Sequence, residues 1–141
     1  MRILIATDAW HPQINGVVRT LTTMAAAARK LGFDIQFLTP ESFRTVALPG
    51  YEGLRVALPS PGKVARLIED VQPDNIHIAT EGPLGIMVRR YCRKRGLSFT
   101  TTFHTRFPAY ISARAPIPES WVWAALRRFH WPSGAVMAAT P

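Results

Sequence analysis

The sequence has one cysteine, nine acidic residues against seventeen basic ones, and no long apolar run. A single thiol, Cys92, excludes an internal disulfide and fits a reducing compartment, so the expected location is cytoplasmic. The longest apolar stretches are as short as "WVWAAL" (121–126), far below the roughly 20 residues that a bilayer span needs. The opening run "RILIA" is too short for a signal peptide and is soon interrupted by Asp8. The common nucleotide fingerprints are missing as well. G-x-G-x-x-G does not occur, which weighs against NAD binding, and the absence of G-x-x-x-x-G-K-[ST] excludes a P-loop kinase or ATPase. No metal-ligand spacing is visible, and neither a metal nor a bound cofactor is expected.

What is present begins with charge. The formal net charge is +8, and from Arg89 to Arg128 nine Lys or Arg stand against one acid, Glu119. Such a surface suits nucleic acid, an anionic membrane or a phosphorylated small molecule, and charge alone does not choose among them. Strand and helix patterns then alternate along the chain. "RILIA" (2–6), "FDIQFLT" (33–39), a short run near 54–58, "DNIHIAT" (74–80), "LSFTTTF" (97–103) and "GAVMAAT" (134–140) read as strands, with the stretch 40–53 as a long loop. Helices are expected after Gly16, from Pro61, from Gly82–Pro83, and from Pro118 or Glu119 to His130. This order predicts an α/β fold, a Rossmann-like doubly wound parallel sheet of about six strands. The chain stops directly after its sixth strand, so residues 1–141 are expected to form one truncated domain.

Ligands of open parallel sheets bind beyond the carboxyl ends of the strands. Three polar loops lie there: Asp8 to Gly16, Glu81–Gly82, and His104–Thr105–Arg106. Gly16 at the mouth of a helix lets a phosphate approach backbone N–H groups, or is simply a turn residue beside Asn15 as N-cap. His104, at the end of a buried strand, is placed to bond a ligand hydroxyl or move a proton, or else bonds a backbone carbonyl. Glu81 accepts a sugar hydroxyl or caps the following helix, and Asp8 orients its own loop or serves the ligand. His77 and His130 receive no role.

Taken together, "TDAWHPQINGVVRT", "HIATEGPLG" and "TTFHTRFPAY" resemble the N-terminal domain of retaining glycosyltransferases of family 4, the group-1 type with a GT-B fold. "FRTVALPGY" and "RRFHWPSGAVMAATP" extend the likeness, which points toward bacterial GDP-mannose-dependent α-mannosyltransferases and related glycolipid enzymes. The resemblance implies that Gly16, with Asn15, holds the donor diphosphate and that His104 contacts the transferred sugar. Asp8, Glu81, Thr105 and Arg106 would face the acceptor, a lipid or glycan. The donor would be GDP-mannose or a UDP-hexose, used without a metal. In that family a C-terminal domain supplies the nucleotide pocket and the cations of the diphosphate site, so this chain alone is expected to be nearly inactive.

The segment "SARAPIPESWVWAALRRFHW" joins tryptophans to arginines. Trp123, Arg127 and Arg128 are candidates for contact with an anionic membrane, making the protein peripheral on the inner face of the cell membrane. On one helix face with Ala125, Trp121 and Phe129 are expected to pack on the sheet, while Trp123 and Trp131 stay open. Two other readings compete. One is a basic nucleic-acid-binding module, disfavoured by the lack of any such motif; the other is a non-catalytic docking partner.

Overall fold

The computed structural model describes residues 1–12, 15–50, 55–104 and 115–138. Its strands are β1 (Arg2–Ala6), β2 (Asp34–Leu38), β3 (Thr45–Ala47), β4 (Arg55–Ala57), β5 (Asn75–Ile78), β6 (Phe99–Phe103) and β7 (Ala135–Ala138). Its helices are α1 (Gly16–Lys30), α2 (Pro61–Val71), α3 (Pro83–Lys94) and α4 (Glu119–His130), with a 3₁₀ turn at Pro40–Ser42. Five strands form a parallel sheet in the order β2-β1-β5-β6-β7.

The chain runs from β1 to β2 in one direction and from β5 through β6 to β7 in the other. Right-handed crossovers therefore put α1 on one face of the sheet and the later helices on the opposite face. Ile5, Ile35 and Ala79 meet Leu21 and Ala25 of α1 on the first face. On the second, Leu4, Ile76, Ile78 and Phe99 pack against Val64 and Ile68 of α2, Leu84 and Val88 of α3, and Phe129 of α4. Each such Leu or Ile contributes roughly 1.5–3 kcal/mol by leaving water.

Three expectations change. The sheet has five described strands rather than six, because the run near 54–58 pairs antiparallel with β3 in a separate hairpin. Residues 45–47, read as loop, are one arm of it; three-residue strands are too short to show alternation. In α4 the inward line is Leu126, Phe129 and His130, while Trp121 is 70% exposed and Ala125 also faces solvent. An apolar residue on a short helix is not thereby a core residue. Arg89 of α3 donates to the carbonyls of Phe129 and Arg128 at 2.8 and 2.9 Å, closing the free end of α4.

Candidate functional site at the switch point of the sheet

The strand order reverses between β1 and β5, the place where doubly wound sheets open a crevice at the carboxyl ends of their strands. The loop after β1 is pinned there. The Asp8 carboxylate accepts the N–H of Leu84 at 2.7 Å, the N–H of Gly85 at 3.1 Å and the Thr80 hydroxyl at 2.7 Å. The Asp8 N–H in turn donates to Thr80 Oγ1 at 2.7 Å. Gly82, which precedes α3, has no side chain to cap that helix, so Asp8 caps it from a distant loop. Burial pushes the Asp8 carboxyl above its usual range, and the bonds from Thr80, Leu84 and Gly85 work against that rise. The fit requires glycine: a Cβ at Gly82 would run into the Asp8 carboxyl group, and one at Gly85 into the Thr80 carbonyl.

At the mouth of α1, Asn15 Oδ1 accepts the Val18 N–H at 3.1 Å, a standard N-cap. Gly16, the first residue of the helix, is exposed, and a Cβ there would meet nothing within 4 Å among the described residues. It lies at the positive end of a 15-residue helix.

The loops after β5 and β6 also meet. Glu81 Oε1 accepts from His130 Nε2 at 2.9 Å, and His130 Nδ1 lies 2.8 Å from Thr101 Oγ1. Glu81 in turn acts on His104, whose pKa burial lowers and the Glu81 charge raises. The half-buried His104 is therefore neutral at pH 7, with one ring nitrogen to donate and one to accept. Its Nε2 is shut off from solvent with no hydrogen-bond partner among the described residues. A buried polar atom left unpaired is costly, and such atoms collect where a ligand completes them. His77 lies close enough to repel His104; its ring bridges Thr100 Oγ1 at 2.8 Å and Thr102 Oγ1 at 2.7 Å, and burial first and His104 second lower its pKa to about 4.

The structure thus brings Asp8, Glu81 and His104 to one edge of the sheet, where α1 also begins with Asn15 and Gly16. Thr105 and Arg106 lie outside the described residues. Asp8 fastens α3 as well as its own loop, and Glu81 is held by His130 rather than capping α3. His130, passed over in the sequence, was detectable as the position four after Leu126 on the buried line of α4. Sequence reading also missed a cleft of about 320 Å³ on the β2 side of Asp8, lined by Trp10, Glu41, Phe43 and Arg55 among others.

Fold and site define a doubly wound α/β domain with a polar rim at its switch point. The chain belongs to a glycosyltransferase family: the family described as Glycosyltransferase Family 4 matches residues 14–141. An alpha-monoglucosyldiacylglycerol synthase of Streptococcus pneumoniae is 25% identical over 124 residues, covering 79% of this chain and 28% of that protein. The synthase of the same description from Acholeplasma laidlawii is 26% identical, covering 78% of this chain and 31% of that protein. A GDP-mannose-dependent alpha-mannosyltransferase of Mycobacterium tuberculosis is 22% identical, covering 92% of this chain and 39% of that protein. The chain therefore spans about a third of the length of these relatives.

Proposed function

We propose that this chain is the acceptor-side, N-terminal half of a GT-B hexosyltransferase that moves a hexose, mannose first among the candidates, from a nucleotide sugar to a lipid or glycan acceptor with retention. The donor is GDP-mannose or a UDP-hexose, and transfer proceeds without a metal. The single observation that carries the reading is the pairing of two capacities unmet among the described residues at one edge of the sheet: the mouth of α1 at Gly16 and the Nε2 of His104. A diphosphate fits the first, because helix N-termini favour anions. A sugar hydroxyl fits the second, because it gives and accepts hydrogen bonds. Asn15 holds the turn that presents Gly16; Asp8, Glu81, Thr105 and Arg106 face the acceptor. The named relatives and the exposed Arg127 and Arg128, with Trp121 and Trp131, support a peripheral place on the inner face of the cell membrane. Trp123, the tryptophan expected there, is instead half-buried against Phe103 with its indole N–H donating to Glu119.

Half a cleft leaves water in the site and lacks the cations that stabilise a departing diphosphate. The chain alone therefore shows little or no transfer. The test is titration of the 141-residue protein with GDP and UDP, followed by amide NMR. The expected result is that shifts centre on Gly16 and His104, and that Gly16→Ala weakens binding without unfolding the protein. Shifts confined to other surfaces would overturn the reading, as would turnover of a nucleotide sugar at the roughly 1–1,000 per second typical of enzymes.

A further inference from the structure

The helix ends nearest Glu81 and His130 are closed by other residues. Asp8 takes the N–H groups of Leu84 and Gly85 at the start of α3, and Arg89 takes the carbonyls of Arg128 and Phe129 at the end of α4. Neither end needs Glu81 or His130 as a cap. Yet these two side chains are only 10% and 11% exposed and meet at 2.9 Å. Taking a carboxylate and an imidazole out of water is costly, and apolar side chains of similar volume would often hold the fold as well or better. What a buried polar pair can supply instead is one defined arrangement of its members. The His130 ring is set by more than the Glu81 bond. Its Nδ1 lies 2.8 Å from Thr101 Oγ1 within β6, and the Phe129 and Phe103 rings meet it edge-on with centroids 5.1 and 6.4 Å away. One ring therefore joins the loop after β5 to the strand that ends just before His104.

We infer that His130 is a positioning residue for the sugar edge of the site: its Nε2 keeps the Glu81 carboxylate folded in at the rim that carries His104, instead of turned out into water. A carboxylate only accepts, so His130 Nε2 carries the proton of that bond. His130 itself touches no substrate. It acts through Glu81, whose charge acts in turn on His104. His77 of β5, the other described titratable group that interacts with His104, is uncharged at pH 7 because burial and His104 lower its pKa to about 4. The charge felt by His104 is thus that of Glu81, and its strength depends on where the carboxylate is held. Rotated into solvent, the same carboxylate would be screened by water and salt and would act on His104 less.

The inference rests on the transferase reading, under which His104 meets the sugar, but its test needs no ligand. The His104 imidazole of the 141-residue protein is titrated by NMR in the wild type, His130→Phe and His130→Gln. His130→Phe keeps a ring of similar size without the donor, and His130→Gln returns an N–H near the place of Nε2. The His104 titration is expected to fall in His130→Phe, on the same side as in Glu81→Gln, and to return toward the wild-type value in His130→Gln. In the Glu81→Gln background, adding His130→Phe should leave the titration where it is, since no charge remains to be held. That double variant buries no lone carboxylate, so it carries the test if His130→Phe alone fails to fold. An unmoved or rising titration in His130→Phe, an equal fall in His130→Gln, or a further fall in the Glu81→Gln background would overturn the inference. If GDP shifts Gly16 and His104 while the His130 variants leave the titration unmoved, this inference fails and the transferase reading stands. The reverse pattern removes the donor site and leaves His130 as the holder of Glu81.

Discussion

Glu81 and His130 meet across 49 positions of sequence at 2.9 Å, with side-chain exposures of 10% and 11%. Through Thr101 the contact continues into β6, so the loop beside His104 is braced by the last turn of α4. His130→Ala leaves a buried carboxylate without its partner, and should cost about 3 kcal/mol in urea unfolding at pH 7. Glu81→Gln keeps an acceptor and should cost about 1 kcal/mol. It also removes the charge that holds the His104 pKa up, so the His104 imidazole should titrate lower in that variant by NMR. An unmoved or rising His104 titration would refute the coupling.

Asp8 has a raised pKa in the fold, chiefly from burial. The native state then holds the proton more tightly than the unfolded chain does. As pH rises from about 3.8 to that raised value, the unfolded state gives up its proton first, and stability falls. Asp8→Asn lacks this titration. Over that window the wild type should lose stability relative to the variant, measured by urea unfolding from pH 3.5 to 7, although the variant is less stable throughout by about 1–3 kcal/mol for lost capping.

His77 behaves in the opposite sense. Its pKa is lowered from 6.5 to about 4, mainly by burial, so between those values the unfolded chain takes up the proton and the native state does not. Its contribution is complete above pH 6.5 and disappears as pH falls toward 4, a loss of about 3 kcal/mol. His77→Gln should flatten that part of the acid limb. An unaltered slope would show that other groups set it.

Two glycines respond differently to the same change. Gly85→Ala forces a methyl group into the Thr80 carbonyl and should cost several kcal/mol, seen as a fall in Tm. Gly16→Ala meets open space in the first turn of α1 and should leave Tm unchanged or slightly raised, because alanine is the better helix former.

The exposed Trp121, Arg127 and Arg128 of α4, with Trp131 just beyond it, predict binding to anionic vesicles but not to neutral ones. Arg127→Glu with Arg128→Glu should abolish co-sedimentation at low salt while unfolding by urea changes little, since both side chains are exposed. Co-sedimentation that survives both reversals would remove the electrostatic basis.

Periodicity and punctuation made most elements legible. α4 begins at Glu119 and ends at His130, where proline and the basic last turn marked them, and "RILIA" is β1 without adjustment. Of the hairpin, β4 was read as a strand, but β3 and their antiparallel pairing escaped because a three-residue strand shows no alternation. At the site, the loops themselves were visible as polar breaks after apolar strands. Their tertiary bonds were not. Nothing local tells Asp8 that Leu84 will be its partner 76 positions on, or Glu81 that His130 will hold it.

Because one carboxylate fastens the segment after β1 to the start of α3, these two stretches cannot be exchanged independently. A chimera that imports a foreign first loop must import Asp8's receiving helix turn, with both of its small residues, or the graft will arrive without an anchor.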